Sequence, residues 1–111
     1  MKFEKMFEPI QIGPMKVRNR FVVPPMGNNF ANSDGTWSDQ SVAYYAERAK
    51  GGFGLVTVEA TVVHRGAKGG PLKPCLYDDA SIPSLARIAE ACHAEGACVS
   101  VQLQNAGPEG N

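Results

Sequence analysis

The sequence predicts an α/β fold built around parallel β-strands. Three short apolar segments, which begin near residues 21, 55 and 98, alternate with two segments whose apolar residues recur at helical spacing. Alternation of this kind is typical of parallel strands joined by right-handed crossover helices. The spacing of the strands fits both a doubly wound sheet and a (β/α)8 barrel, so it does not choose between these two architectures.

The composition is that of an ordinary globular domain. The 111 residues include 11 Lys and Arg against 11 Asp and Glu, and 43% of them are hydrophobic. A chain without net charge or blocks of like charge is a poor ligand for nucleic acid. No apolar run approaches the roughly 20 residues of a membrane helix, and the charged start Met1–Lys5 lacks the apolar region of a signal peptide. We therefore expect a cytoplasmic protein that binds neither nucleic acid nor membrane.

The chain opens with a predicted β-hairpin. Residues 7–12 and 15–18 flank Gly13-Pro14, which is a turn signal. The continuous apolar run at 21–23 predicts a first core strand that is buried on both faces. Pro24-Pro25 must end this strand, because proline cannot donate to a central ladder.

A first helix and a second strand follow the polar loop at 27–37. Ser38 is predicted to cap this helix and Gly51-Gly52 to end it. The segment 55–60 is rich in β-branched residues and predicts a second buried parallel strand. The long connection at 61–80 is of a length that is usually functional.

The second helix is predicted to begin near Ser81, with Pro83 in its first turn and Gly96 as its stop. Its apolar stripe consists of Ile82, Leu85, Ile88, Ala89 and Cys92. A third strand is predicted at 98–103. Three parallel strands and two helices cannot cover both faces of a sheet, so the sequence predicts the first part of a barrel or an incomplete sandwich that needs a partner.

The three cysteines, Cys75, Cys92 and Cys98, show no metal-ligand spacing. Reduced and mostly buried thiols are the simplest interpretation. We expect no metal site in this chain.

Other conspicuous side chains have structural interpretations. His64-Arg65 is interpreted as a solvated pair in the long connection, with an acidic substrate or phosphate as the functional alternative. Trp37 is expected to be a packing anchor and His93 to lie on an outer helix face. Tyr44 and Tyr45 are expected to pack the first helix against the sheet, away from the carboxyl ends of the strands.

Three groups of short motifs carry a family resemblance. The first group is Phe7-Glu8-Pro9-Ile10 with Ile12-Gly13, then Val17-Arg18-Asn19-Arg20 leading into Pro25-Met26. The second is Tyr44-Tyr45-Ala46-Glu47-Arg48-Ala49 with Gly51-Gly52, followed by Val58-Glu59-Ala60-Thr61, and the third is Gln102-Leu103 with Gly107. In this order and spacing the motifs resemble the old yellow enzyme family, in particular its enoate and dienoyl-CoA reductase branch. The resemblance covers about residues 6 to 107, nearly the whole chain.

The resemblance implies that the α/β fold is the N-terminal portion of a (β/α)8 TIM barrel, with an N-terminal hairpin followed by β-α-β-α-β. Residues 1–111 would then be part of an FMN-binding barrel domain, with about its first three strands and two helices. The implied activity is that of an ene-reductase. NADH or NADPH reduces FMN, and the reduced flavin passes hydride to the activated C=C bond of a small α,β-unsaturated substrate. The flavin does this chemistry, while the protein supplies position and electrostatics.

The resemblance also implies six flavin-contacting residues at the carboxyl ends of the strands. They are Pro24, Pro25, Met26, Gly27, Ala60 and Gln102. The backbone of the first four would line the ring, although two prolines are also a simple strand stop. Ala60 would let a flat ring approach closely, although alanine is common everywhere. Gln102 offers a donor and an acceptor to the pyrimidine edge, and the competing interpretation is a polar residue satisfied inside the barrel.

Two stretches depart from the family pattern. Gly27 stands where relatives often have Cys or Thr, whose side chain hydrogen-bonds near flavin O4 and N5. The stretch 104–108 lacks the aromatic residue, the His and the Arg of many relatives. The family's substrate-anchoring pair, proton-donating Tyr and FMN-phosphate clamp come later in the barrel, so no catalytic residue is assigned here. The cysteines of an iron–sulfur cluster also come later, in a longer parent chain only.

A second hypothesis makes the chain a non-catalytic barrel fragment or interaction module. Such a module would bury its open sheet edge against the remainder of a barrel or against a second copy. A third hypothesis, a barrel related to dihydroorotate dehydrogenase, is disfavoured by the motifs at 44–49 and 58–61.

Overall fold

The computed structural model describes residues 3–67 and 71–109. Residues 68–70 of the predicted long connection and residues 110–111 of the polar tail lie outside the described residues. Within the described ranges the helices are α1 (Glu4–Phe7), α2 (Asp39–Lys50) and α3 (Ile82–Ala94). The strands are β1 (Ile10–Ile12), β2 (Met15–Val17), β3 (Val22–Val23), β4 (Leu55–Val62) and β5 (Cys98–Gln104).

The strands form two separate sheets. β1 and β2 pair in an antiparallel hairpin with Ile10 opposite Val17. β3, β4 and β5 form a parallel sheet in that order, and α2 and α3 connect its successive strands. The predicted hairpin and the predicted alternation of strands and helices are therefore confirmed.

The predicted ends of the helices are confirmed as well. The side chain of Ser38 accepts a hydrogen bond from the Ser41 N–H at 3.1 Å and caps α2. Gly52, just after α2, has a φ of 114°, and Gly96, just after α3, has a φ of 85°. These left-handed conformations favour glycine, which carries no Cβ to clash with the backbone.

α2 and α3 pack on one face of the parallel sheet. Val56 and Val58 of β4 face these helices and are fully buried, together with Tyr45, Ile88 and Cys92. The opposite face carries half-buried residues of β4 and β5, including Thr57 and Ser100, whose hydroxyl oxygens lie 2.8 Å apart. Among the described residues nothing covers that opposite face, which we call the open face of the sheet.

The open face explains why one expectation about burial is wrong. The run at 21–23 was expected to form a strand buried on both faces, yet β3 contains only Val22 and Val23. Val23 is buried against the helices, whereas Val22 is 46% exposed. Successive strand residues point to opposite faces, so Val22 lies on the open face.

Three further element predictions need correction. α1 replaces the start of the hairpin that was expected at residue 7, and none of its residues is buried. β4 does not stop at Ala60 but continues to Val62, because Thr61 and Val62 still pair with β5. Ile82, expected in the apolar stripe of α3, is 56% exposed because it is the first residue of that helix.

Arg18 joins the hairpin to the carboxyl ends of both long helices. Its guanidinium donates hydrogen bonds to the carbonyl oxygens of Ala49 at 2.8 Å, Phe53 at 3.0 Å and Glu95 at 2.6 Å. Carbonyls at a helix end lack partners within the helix and carry a partial negative charge, so a cation stabilises them. Glycine at residue 96 is favoured by its φ of 85° and leaves room for this contact, because a Cβ there would lie 2.6 Å from a guanidinium nitrogen.

Replacing Arg18 by Met keeps the apolar stem and removes the guanidinium. We expect the free energy of unfolding to fall by about 3 kcal/mol, because three carbonyls lose a charged donor. Urea unfolding followed by circular dichroism measures this loss. Arg20→Met is the matched control, since Arg20 is exposed and its side chain makes only long contacts with Glu8 among the described residues, at 3.4 Å to its carbonyl oxygen and 3.9 Å to its carboxylate. We expect the control to lose less than about 1 kcal/mol, and equal losses would contradict the role of Arg18.

Candidate functional site

The six residues expected to contact a flavin lie at one edge of the parallel sheet. The segment 24–27 follows the end of β3, Ala60 lies near the end of β4 and Gln102 lies near the end of β5. Because the three strands are parallel, their carboxyl ends meet at the same edge. The structure thus brings together all three parts of the predicted site.

A β-bulge in β4 sets the positions of Ala60 and Gln102. The ladder pairs on either side of it are Val58–Val101 and Thr61–Leu103. β4 therefore has one more residue than β5 between these pairs, which is the definition of a bulge. Ala60 falls within the bulge, beside Gln102 on the neighbouring strand.

The surface of this edge is open. Pro24, Met26 and Gly27 are exposed, and Pro25 and Ala60 are half-buried. Gln102 is exposed, and its side-chain amide forms no hydrogen bond with any other residue that the structure describes. Among the described residues, the amide therefore has a free donor and a free acceptor.

A buried carboxyl group lies beneath this edge, and it was not among the predicted site residues. Glu59 is 1% exposed. One carboxyl oxygen accepts a hydrogen bond from the Tyr45 hydroxyl at 3.0 Å, and the other accepts one from the backbone N–H of Asn28 at 3.3 Å. The Glu59 N–H in turn donates to the Tyr45 hydroxyl oxygen at 3.0 Å. Glu59 therefore ties α2 and the segment after β3 to the end of β4.

Burial shifts the ionisation of this group. It raises the pKa of Glu59 above 4.5, while the hydrogen bonds from Tyr45 and Asn28 and the charge of Lys73 partly lower it. Burial also raises the pKa of the Tyr45 hydroxyl. That phenol consequently stays protonated and remains a donor to Glu59 at neutral pH.

The expectation that Tyr45 lies away from the carboxyl ends of the strands is wrong for its hydroxyl group. α2 runs back along the sheet, so Tyr45 packs in the core while its hydroxyl reaches Glu59. The available sequence signal was the lone acidic residue in the apolar strand Leu55–Val62. A charged residue in such a strand needs buried partners, and a tyrosine hydroxyl is one.

Lys73 is a second residue that sequence reasoning missed. Its ammonium nitrogen lies 3.4 Å from the position that a Cβ at residue 27 would occupy. The side chain is half-buried. The contact joins the long connection to the segment after β3, and local pattern cannot reveal a contact between segments so far apart in sequence.

The remaining conspicuous residues have structural surroundings. Trp37 is 2% exposed, which confirms its prediction as a packing anchor. Arg65 forms an ion pair with Asp78 at 3.1 Å and lies over the ring of Tyr77, so it is already paired. His64 and His93 are exposed.

A cavity of about 290 Å³ opens at the opposite edge of the sheet. It is lined by Phe7, Phe21 and Phe53 together with Asn19, Gly51 and Gly52. Phe21 and Phe53 precede β3 and β4, so this cavity lies at the amino ends of the strands. None of the six predicted flavin-contacting residues lines it.

The possible metal ligands of the described residues are dispersed. In residues 3–67 and 71–109, no group of three or more His, Cys, Asp and Glu side chains is placed to hold a metal ion. Cys75 and Cys92 are buried and Cys98 is half-buried. Burial raises the pKa of Cys92 to about 11, so this group is a neutral thiol at pH 7.

No helix in the described part of the chain is both long enough and apolar enough to cross a membrane.

The fold and the position of the site define a class of protein, namely α/β proteins whose sites lie at the carboxyl ends of parallel strands. The chain belongs to the NADH:flavin oxidoreductase / NADH oxidase family, whose family model matches residues 5–111.

Two curated relatives illustrate the similarity. The NADH oxidase of Thermoanaerobacter brockii is 38% identical over 106 residues, which cover 95% of this chain and 16% of that protein. The cinnamate reductase of Clostridium sporogenes is 33% identical over 107 residues, which cover 92% of this chain and 16% of that protein. The chain thus spans about a sixth of the length of these relatives.

Solved structures agree with this assignment. The old yellow enzyme from Trypanosoma cruzi is 32% identical, with a TM-score of 0.90 over 99% of this chain and 29% of its own. A 2-naphthoyl-CoA reductase complex is 34% identical, with a TM-score of 0.93 over 97% of this chain and 16% of its own. The predictions of the old yellow enzyme family and of the N-terminal portion of a (β/α)8 barrel are confirmed.

Glu59→Gln is expected to make the free energy of unfolding less dependent on pH. Because the folded pKa of Glu59 is raised above 4.5, the folded chain binds this proton more tightly than the unfolded chain. The stability that the group contributes is fully present below pH 4.5 and is lost as the pH rises through the folded pKa. The difference in stability between wild type and variant should therefore shrink as the pH rises from 4.5.

Urea unfolding at a series of pH values measures this difference. Glu47→Gln, at an exposed position of α2, is the matched control. A wild-type-to-Glu59→Gln difference that stays constant with pH, or grows, would show that the Glu59 carboxyl does not titrate as its burial requires.

Proposed function

We propose that this chain supplies part of the flavin site of an FMN-dependent ene-reductase. The flavin ring would bind at the sheet edge formed by the carboxyl ends of the strands, which we call the ring edge. In the proposed reaction NADH or NADPH reduces FMN, and the reduced flavin passes hydride to an activated C=C bond. Membership of the NADH:flavin oxidoreductase / NADH oxidase family supports a reaction that uses a flavin and a nicotinamide cofactor.

One observation carries the proposal. Gly27, Ala60 and Gln102 lie together at the carboxyl ends of three adjacent strands, on an edge that is open. The two smallest residue types and an unpaired amide are what a flat heterocycle with alternating N–H and C=O groups requires. The residues present therefore fit an isoalloxazine ring.

Each residue has a separate task in this proposal. Gly27 and Ala60 allow the ring to approach the backbone closely, because neither has a long side chain. The Gln102 amide donates one hydrogen bond and accepts another at the pyrimidine edge. The backbone of Pro24, Pro25 and Met26 lines the ring. FMN itself supplies the hydride chemistry when it is bound.

The proposed substrate class is based on the names of similar proteins, and contacts within this chain do not enter into it. One relative is a cinnamate reductase and one structural neighbour a 2-naphthoyl-CoA reductase. Cinnamate carries a C=C bond conjugated to a carboxylate. A small α,β-unsaturated acid or its thioester is therefore the substrate class that we propose.

We also propose that residues 1–111 are one part of a barrel domain that the remainder of a barrel completes. Support comes from the open face of the sheet, where Val22 is 46% exposed. Further support comes from the relatives, of which the chain spans about a sixth.

Titration of FMN into the purified chain tests the ring edge. We expect saturable quenching of flavin fluorescence at micromolar concentrations. Gln102→Ala should weaken binding about tenfold, because it removes hydrogen bonds worth roughly 1.4 kcal/mol. Gln40→Ala, an exposed position in the first turn of α2, is the control and should bind as wild type. Equal affinities for the Gln102 variant and wild type would exclude Gln102 from the site.

The non-catalytic interaction module remains the second candidate, and the open face of the sheet is the observation that favours it. In that case the open face would pack against a second copy, or the free edge of β3 or β5 would pair with one. Sedimentation at two protein concentrations separates the candidates. A mean mass that rises with protein concentration and does not change when FMN is added favours the module. A monomer that quenches the fluorescence of FMN favours the ring edge.

A further inference from the structure

The ammonium group of Lys73 makes no short polar contact with a described residue, and its charge acts on the buried Glu59 carboxyl, whose pKa it partly lowers. Lys73 is half-buried, and its nitrogen forms no hydrogen bond or salt bridge with another residue that the structure describes. The nitrogen lies 3.4 Å from the position of a Cβ at residue 27. A partly buried cation therefore lies next to residue 27, which is the one position of the proposed ring edge without a side chain.

The backbone around Lys73 is held firmly to the end of β4. The Val62 N–H donates to the Pro74 carbonyl oxygen at 2.9 Å, and the Leu76 N–H donates to the Val62 carbonyl oxygen at 2.8 Å. Cys75 forms a parallel bridge with Val62 and donates its N–H to the Gly35 carbonyl oxygen at 2.8 Å. Pro74 and Cys75 are both buried. The ammonium is thus carried by a segment that the sheet fixes next to the strand ends.

We propose that the Lys73 ammonium is an electrostatic partner of the flavin ring, which favours the reduced ring over the oxidised one. The inference rests on the proposed function, since it requires a flavin over Gly27. The oxidised isoalloxazine is neutral, whereas the reduced ring is an anion at neutral pH. A nearby cation stabilises the anion more than the neutral ring, and partial burial weakens the screening by water.

Gly27 makes this arrangement sterically feasible. Glycine offers no side-chain donor to a ligand, so any side-chain interaction above this position must come from elsewhere. A side chain at residue 27 would also compete with the ammonium for space, because the two lie 3.4 Å apart at the Cβ. Lys73 is therefore a positioning and electrostatic residue, and no proton or hydride passes through it.

The experiment measures the affinity of the chain for oxidised and for dithionite-reduced FMN by anaerobic calorimetry. Lys73→Gln removes the charge, Lys73→Arg retains it, and Lys16→Gln is the matched control at an exposed position of the hairpin. We expect Lys73→Gln to weaken binding of reduced FMN about tenfold relative to oxidised FMN. A tenfold change of this ratio corresponds to a midpoint potential about 30 mV lower for a two-electron couple. Lys73→Arg and Lys16→Gln should keep the wild-type ratio.

A parallel titration with riboflavin, which has the same ring but no phosphate, distinguishes an interaction of Lys73 with the ring from an interaction with the phosphate. If Lys73→Gln weakens both redox states of FMN equally and leaves riboflavin unaffected, the ammonium binds the phosphate and the inference is overturned. An unchanged ratio of affinities also overturns it, while the proposed function stands. If wild type binds neither FMN nor riboflavin, the proposed ring edge and this inference fail together. Near-ultraviolet circular dichroism of each variant confirms that the fold is retained.

Discussion

The bulge in β4 is the constraint on which the arrangement of the candidate site depends. Val58 faces the helices, so in a regular strand the next side chain would point to the open face. The extra residue lets Val58 and Glu59 both contact α2 instead. Glu59 is thereby buried with partners, and Ala60 takes the place beside Gln102. A single additional residue therefore removes a carboxylate from the surface on which a planar ligand is proposed to lie.

The buried carboxyl connects parts of the chain that would otherwise be independent. The hydrogen bonds of Glu59 fix both α2 and the segment after β3 relative to the end of β4. The surface residues of the site are small or exposed and do little to hold one another. Their relative positions depend on the hydrogen bonds of Glu59 beneath them and on the parallel ladder. A change in the packing of the helix layer would therefore also change the geometry of the open edge.

Local pattern was sufficient for much of this fold. The caps and glycine stops placed α2 and α3 correctly, and the positions of the strands predicted the parallel order. The convergence of residue 27, Ala60 and Gln102 also followed, because the ends of parallel strands meet at one edge. The burial of Glu59 and the contact of Lys73 with Gly27 could not be predicted. The first depends on a one-residue register shift, and the second on how two distant loops meet, and neither has a periodic signature.

Within the described residues, the hydrogen bonds of Arg18 go only to main-chain carbonyl oxygens. Every amino acid offers the same carbonyl group, so the identities of Ala49, Phe53 and Glu95 are immaterial to these hydrogen bonds. A substitution at one of these three positions therefore leaves its hydrogen bond with Arg18 in place as long as the backbone keeps its course. The position that these contacts do constrain is residue 96, where glycine leaves room beside the guanidinium.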